Sequence, residues 1–193
     1  MQSGKLVVAG TSGTGKSSLI IRFTQNNFNE RITATLTSTY IKKDYTVDGK
    51  NVQLCIWDTA GQERFMSVSP MYFRSCQFAL LVFDLTDVSS FKGLSYWMEQ
   101  VRQKSSGANI FVVGNKVDLV STRRVSKEMI DQFLRNTAEV KYFEISVKEN
   151  TGIKELFDEV GRVYLSTSNI ALDYTKTAIQ VADNNQKAKK GCC

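Results

Sequence analysis

Residues 10–17 read Gly10-Thr11-Ser12-Gly13-Thr14-Gly15-Lys16-Ser17, and they fit G-x-x-x-x-G-K-[ST] at every fixed position. The run follows a strand-like apolar stretch, Leu6-Val7-Val8-Ala9, and precedes a segment with Leu19, Ile20 and Phe23 at helical spacing. No other feature restricts the fold as much. Glycines let a backbone close around a phosphate without Cβ clashes. Successive N–H groups at Ser12, Gly13, Thr14 and Gly15, with the N-terminus of the following helix, then hold the anion. Lys16 is placed to reach β and γ oxygens, and Ser17 to offer a hydroxyl to Mg2+. Alone, the motif specifies a nucleoside triphosphate and says nothing about the base.

The remaining chain alternates in the way such a loop requires. Short apolar runs at Leu6–Ala9, Val52–Trp57, Phe78–Phe83, Ile110–Val113 and Tyr142–Ile145 read as strands. Between them, Phe91, Leu94, Trp97, Met98 and Val101, and later Ile153, Leu156, Phe157, Val160, Val163 and Tyr164, recur at the spacing of a helix face. Ser89 or Ser90, Ser126 and Thr151 stand where N-caps are expected. The pattern predicts an α/β fold with a mostly parallel sheet and crossover helices. Tyr40–Val47, Asp48-Gly49 and Asn51–Trp57 form the exception. An Asp-Gly between two strand-like runs signals a hairpin, so one strand is expected to run antiparallel. Alternation along 52–57 turns Val52, Leu54 and Ile56 to one face and Trp57 to the other.

The chain has 193 residues, which suits one domain with an extension. Residues 168–193 lose periodicity, and 183–190 (DNNQKAKK) are polar apart from one Ala, so a flexible tail is expected there. Histidine is absent, which excludes a His general base, a Ser-His-Asp triad and a His-ligated metal. Four cysteines are too few for a disulfide scaffold, and two of them, Cys192 and Cys193, are adjacent. The N-terminal residues carry no apolar secretory segment and Gln2 rules out myristoylation, so the protein is expected in the cytosol. Cys55 and Cys76 then read as reduced core thiols. The charge of +6 is spread along the chain without a dense basic stripe, so no nucleic-acid partner is expected.

Two more motifs narrow the ligand. Trp57-Asp58-Thr59-Ala60-Gly61-Gln62-Glu63 ends a strand. An isolated Asp58 would be an ordinary strand-ending residue; beside a phosphate loop it can hold a Mg2+ water shell. Gly61 permits close approach to a γ-phosphate, and Gln62 is the best-placed group to orient an attacking water. Asn115-Lys116-Val117-Asp118 sits at the carboxyl end of another strand, where ligands of α/β sheets bind. A carboxylate there accepts both N–H groups on guanine's N1/N2 edge, which adenine does not present. Facing the wrong base, it would go unpaired at a cost of about 1–3 kcal/mol.

Together these pieces, over roughly residues 5–167, resemble the Ras superfamily of small GTPases, whose G domain has a six-stranded, mostly parallel sheet with one antiparallel strand and helices on both faces. Glu144-Ile145-Ser146-Val147-Lys148 resembles the family's fifth motif, with Val147 in the place of the usual Ala. The resemblance puts the Ser146, Val147 and Lys148 backbone, Asn115, Lys116 and Asp118 around guanine, with Phe28 leaning on the ring. It adds Ser18 to the phosphate site and makes Thr35 a Mg2+ ligand and γ-phosphate sensor beside Ser17 and, through water, Asp58. Gln62 becomes the catalytic residue for GTP hydrolysis to GDP, slow without an activating protein.

Trp57–Phe65 (WDTAGQERF), Pro70-Met71-Tyr72-Phe73-Arg74 and the terminal Cys pair resemble the Rab branch in particular. That implies an effector surface at Tyr40, Trp57 and Tyr72, a role in vesicle trafficking, and geranylgeranylation of Cys192 and Cys193. It also implies an exchange factor, an activating protein, effectors, a GDP dissociation inhibitor and prenylation machinery as partners. Two lipid chains anchor stably where one is marginal, and Lys187, Lys189 and Lys190 favour an anionic leaflet. The cytosolic face of an intracellular membrane is therefore expected. As a coil the tail spans about 25–30 Å, and stretched about 90 Å. Thr37 and Ser75 depart from the pattern, each standing where Gly is usual. Thr37 and Val147 keep a competing expectation open, a nucleotide-bound interaction module that does not cycle.

Overall fold

The computed structural model describes residues 3–29, 39–59, 72–137 and 139–167. Six strands form one sheet: β1 (Gly4–Ala9), β2 (Thr39–Val47), β3 (Lys50–Asp58), β4 (Phe78–Asp84), β5 (Asn109–Asn115) and β6 (Val140–Ile145), in the spatial order β2-β3-β1-β4-β5-β6. All neighbours run parallel except β2 and β3. Their turn has Asp48 at φ 49° and Gly49 at φ 74°. Two successive left-handed residues make the tight hairpin whose twist matches that of its strands, which is why Asp-Gly belongs there.

Parallel strands need covering on both faces, and β4 is buried at every position from Phe78 to Asp84. One core gathers Leu6, Val8, Ile56, Leu80 and Val113 under α1 (Lys16–Gln25) and a final helix, α5, through residues 153–167. The opposite core packs Val7, Leu81, Phe83 and Val112 against α2 (Val88–Lys92), α3 (Leu94–Lys104) and α4 (Lys127–Arg135). Each fully buried Leu, Ile or Phe in these layers contributes roughly 1.5–3 kcal/mol. Trp57 lies against the second core while Leu54 and Ile56 enter the first, as strand alternation requires.

Local details differ from the sequence reading. Asp87, not Ser89 or Ser90, caps α2, its carboxylate accepting from the Ser89 N–H at 2.8 Å. Ser90 instead turns inward and hydrogen-bonds backbone at Asp84 and Asp87. The periodic run from Phe91 to Val101 breaks at Gly93 into two helices, although its apolar residues share one buried face. Ser126 caps α4 as expected. Thr151 does not cap α5: its backbone pairs with Ser146 in both directions, closing a loop one step earlier. Cys76 is buried, but Cys55 is only half-buried, with its sulfur 3.0 Å from the Tyr40 hydroxyl. Ser75 takes the left-handed conformation (φ 55°), the reason glycine suits that position.

Candidate functional site

The loop after β1, the end of β3, the end of β4, the Asn115–Asp118 segment and the Ser146–Lys148 segment all meet at the carboxyl ends of the parallel strands. Gly10, Gly13 and Gly15 have φ of 144°, 81° and 94°, so the backbone from 10 to 15 curls as no chiral residue readily does. Ser12 and Gly13 are exposed at the mouth, Ser18 is half-buried in the helix behind, and Thr14 is buried with its hydroxyl donating to the Thr11 carbonyl.

Lys16 begins α1, is 6% exposed and donates to the Thr11 carbonyl at 2.9 Å. Burial, partly opposed by the attraction of Asp58, pushes its pKa down to about 8. A carbonyl does not neutralise an ammonium; a phosphate oxyanion does. Beside it, the Ser17 hydroxyl donates to Asp58 Oδ2 at 2.5 Å. Asp58 is 4% exposed, and burial raises its pKa against the pull of Ser17 and Lys16. Its other oxygen, Oδ1, is buried and has no hydrogen-bond partner among the described residues. A buried carboxylate oxygen of this kind costs stability unless something occupies it, and a hard cation with its water fits the hydroxyl–carboxylate pair.

Asn115 joins three motifs. Its Nδ2 donates to the Thr14 carbonyl at 2.8 Å, and its Oδ1 accepts from the N–H of Lys116 at 2.8 Å and of Val147 at 3.2 Å. The side chain thus braces the pocket wall. Lys116 adopts φ 68° and pairs with Asp84 at 2.6 Å. Burial pushes the Asp84 carboxyl up, but Lys116 and Thr86 outweigh it and leave its pKa low. Asp118 accepts the Ser146 hydroxyl at 2.6 Å, and Ser146 in turn accepts the Glu149 N–H at 2.9 Å. These bonds hold the Asp118 carboxylate against the start of the Ser146–Lys148 segment. Val147 is 3% exposed and packed in the first core, so its extra methyls have a seat. Phe28 is half-buried near the same segment, with the Arg22 guanidinium over its ring.

Residues that sequence motifs do not reveal hold this frame. Asp84 orders Lys116. Arg123 grips Glu144 through both carboxylate oxygens, at 2.8 and 2.7 Å, and Tyr142 adds its hydroxyl at 2.7 Å. Arg123 lowers the Glu144 pKa, with burial opposing. A carboxyl depressed in the folded state contributes stability that is present above its unfolded value, about 4.3, and is lost as pH falls through its lower folded value. Arg123→Met is therefore expected to cost about 1–2 kcal/mol at pH 7, discounted for partial exposure of the pair. Thermal melts should show a drop of about 3–6 °C that narrows below about pH 4.

Tyr40, Trp57 and Tyr72 lie together, with ring centroids 5.2 Å apart for Tyr40 and Trp57 and 5.8 Å for Trp57 and Tyr72. Tyr40 is 50% exposed. Thr35, Thr37, Gly61, Gln62, Cys192 and Cys193 lie outside the described residues. No helix among the described residues is long and apolar enough to cross a membrane.

Comparison with known proteins agrees with this geometry. The Ras family model matches residues 5–166. Ras-related protein Rab-21 of Mus musculus is 34% identical over 205 residues, covering 99% of this chain and 91% of its own. Ras-related protein Rab-13 of Bos taurus is 36% identical over 165 residues, covering 85% of this chain and 81% of its own. The chain belongs to the Ras family, as a small GTPase of Rab type. It binds GTP and GDP, hydrolyses GTP and regulates membrane trafficking in concert with regulators and effectors; a non-cycling module is not favoured.

Proposed function

We propose that the protein is a Mg2+-dependent switch whose nucleotide occupies the space between the 10–17 loop and the Asn115–Asp118 and Ser146–Lys148 segments. The observation that supports this best is the Ser17–Asp58 pair, whose Asp58 Oδ1 has no hydrogen-bond partner among the described residues, beside the buried Lys16 ammonium on the Thr11 carbonyl. Ser17, Thr35 and, through water, Asp58 would hold the cation, which supplies charge neutralisation at the β and γ oxygens. Backbone N–H groups from Gly10 to Ser18 and the Lys16 ammonium bind the phosphates. Asp118 reads the N1/N2 edge of guanine, with Lys116 and Phe28 flanking the ring. Thr35 and Gly61 engage the γ-phosphate, and their release after hydrolysis relaxes the segments around them. Gln62 orients the attacking water. An activating protein that inserts an arginine raises the rate about 10³–10⁵-fold.

Residues 1–167 form the switch and 168–193 a tether, with Cys192 and Cys193 carrying lipid to the cytosolic face of an intracellular membrane. An exchange factor, effectors that read Tyr40, Trp57 and Tyr72, a GDP dissociation inhibitor and prenylation machinery complete its partners. Denaturing the purified protein and identifying the nucleotide it releases tests the base. GDP or GTP is expected; an adenine nucleotide overturns the reading. In the same preparation Gln62→Leu should keep nucleotide and slow activator-stimulated hydrolysis by at least roughly tenfold. Unchanged stimulation would remove Gln62 from its role.

A further inference from the structure

Arg22 belongs to none of the nucleotide motifs. It lies six residues beyond Lys16 in α1, in that helix's last turn. A cation there gains a little from the helix dipole, which accounts for a basic residue but not for the contacts this one makes. Its guanidinium donates from Nε to the Val147 carbonyl at 3.0 Å and from Nη2 to the Lys148 carbonyl at 3.0 Å. These acceptors are 125 and 126 residues away in sequence. The same guanidinium lies over the Phe28 ring, 5.5 Å from its centroid.

Neighbouring contacts follow the same seam. Arg22 Nη1 meets the Asn26 carbonyl at 3.4 Å, and Asn150 Nδ2 donates to Asn26 Oδ1 at 3.4 Å. From the sheet side, Asn115 Oδ1 accepts the Val147 N–H. Val147 is thus held by its N–H from β5 and by its carbonyl from α1. The backbone that follows Ser146 has its direction set from two sides, and only one of them involves a recognised motif.

We propose that Arg22 is a positioning residue for the guanine base, fixing the 146–148 backbone and the Phe28 ring as one unit and so setting how long nucleotide stays bound. The inference rests on the reading above that this backbone and Phe28 border the base. It needs an arginine. A planar fork can serve two carbonyls while its face lies on a ring, whereas the single ammonium of lysine cannot do both. Because the seam sits on the base side, away from the γ-phosphate, it acts equally on the GDP and GTP complexes.

Release of a fluorescent GDP and of a fluorescent non-hydrolysable GTP from the full chain tests this. Arg22→Ala should speed both by about 10–100-fold, the loss expected for two charge-assisted hydrogen bonds. Single-turnover hydrolysis at saturating GTP should stay within about twofold of wild type, since no group at the γ-phosphate has moved. Arg22→Lys should fall between the two proteins, and it carries the test if the alanine variant folds poorly. Release of both nucleotides at the wild-type rate overturns the proposal, even with a lowered melting temperature, because that is the signature of a purely structural arginine. Faster release of GTP alone overturns it too. Asp118→Asn in the same assay separates the two readings. If it leaves guanine nucleotide release unchanged, the base site itself is misplaced; if it acts and Arg22→Ala does not, only the role of Arg22 falls.

Discussion

Gly10→Ala should cost more than about 3 kcal/mol and lower the melting temperature by at least about 6–12 °C. A Cβ built at Gly10 would stand 2.0 Å from the Val82 carbonyl oxygen and 3.1 Å from the Val82 carbonyl carbon. Both atoms are backbone in β4, the most completely buried strand, so neither can swing aside as a side-chain tip could. The φ of 144° adds strain for any L side chain. Gly13→Ala supplies the contrast. Its φ of 81° is also left-handed, but nothing among the described residues lies within 4 Å of the added methyl, so backbone strain of about 1 kcal/mol is the expected cost to the protein itself. Circular-dichroism melts of the two variants should therefore differ widely. Equal, small shifts would mean that β1 and β4 do not approach closely at the point where the loop departs.

The contrast also marks what a sequence can carry. The motif requires Gly10 and Gly15 because backbone at β4 and the Asn115 side chain occupy the space their Cβ atoms would take, and a rule written in residue types captures that. The Asp48-Gly49 hairpin is legible for the same reason: its two left-handed dihedrals are a local demand met by local residues. The Trp57 side of β3 follows from alternation alone.

Arg22, Asp84 and Arg123 are of another kind. Their partners are carbonyls or side chains that become neighbours only after the sheet has formed, and nothing adjacent to them in sequence encodes the pairing. The caps misread at Ser89 and Thr151 fail through local competition. Asp87 is the stronger acceptor two residues earlier, and Thr151 spends its backbone on Ser146. Residue type names the candidates for a cap or a brace; tertiary placement decides among them.

Asn115→Ala should separate the phosphate loop from the base loop, weakening guanine nucleotide binding by about 10²-fold and stability by about 3 kcal/mol. Asn115 is 3% exposed, and its amide donates to Thr14 and accepts from Lys116 and Val147. Alanine leaves the Val147 N–H and the Thr14 carbonyl buried without that partner, which costs more than the bonds themselves contribute. Asn115→Asp distinguishes bracing from mere space filling. An aspartate keeps the acceptor for Lys116 and Val147, but it turns an oxygen toward the Thr14 carbonyl, beside the space where a Gly15 Cβ would lie 2.4 Å from the present nitrogen. A carboxylate against a carbonyl repels where the amide attracted, so the isosteric variant should release fluorescent GDP at least as fast as the alanine variant. Wild-type release by Asn115→Asp would show that the link to Thr14 contributes nothing. Intermediate release would assign part of the effect to the Val147 side alone. Faster release in both variants, with β5 still folded by amide exchange, places the coupling in this one side chain, whose amide holds Thr14, Lys116 and Val147 to a common geometry.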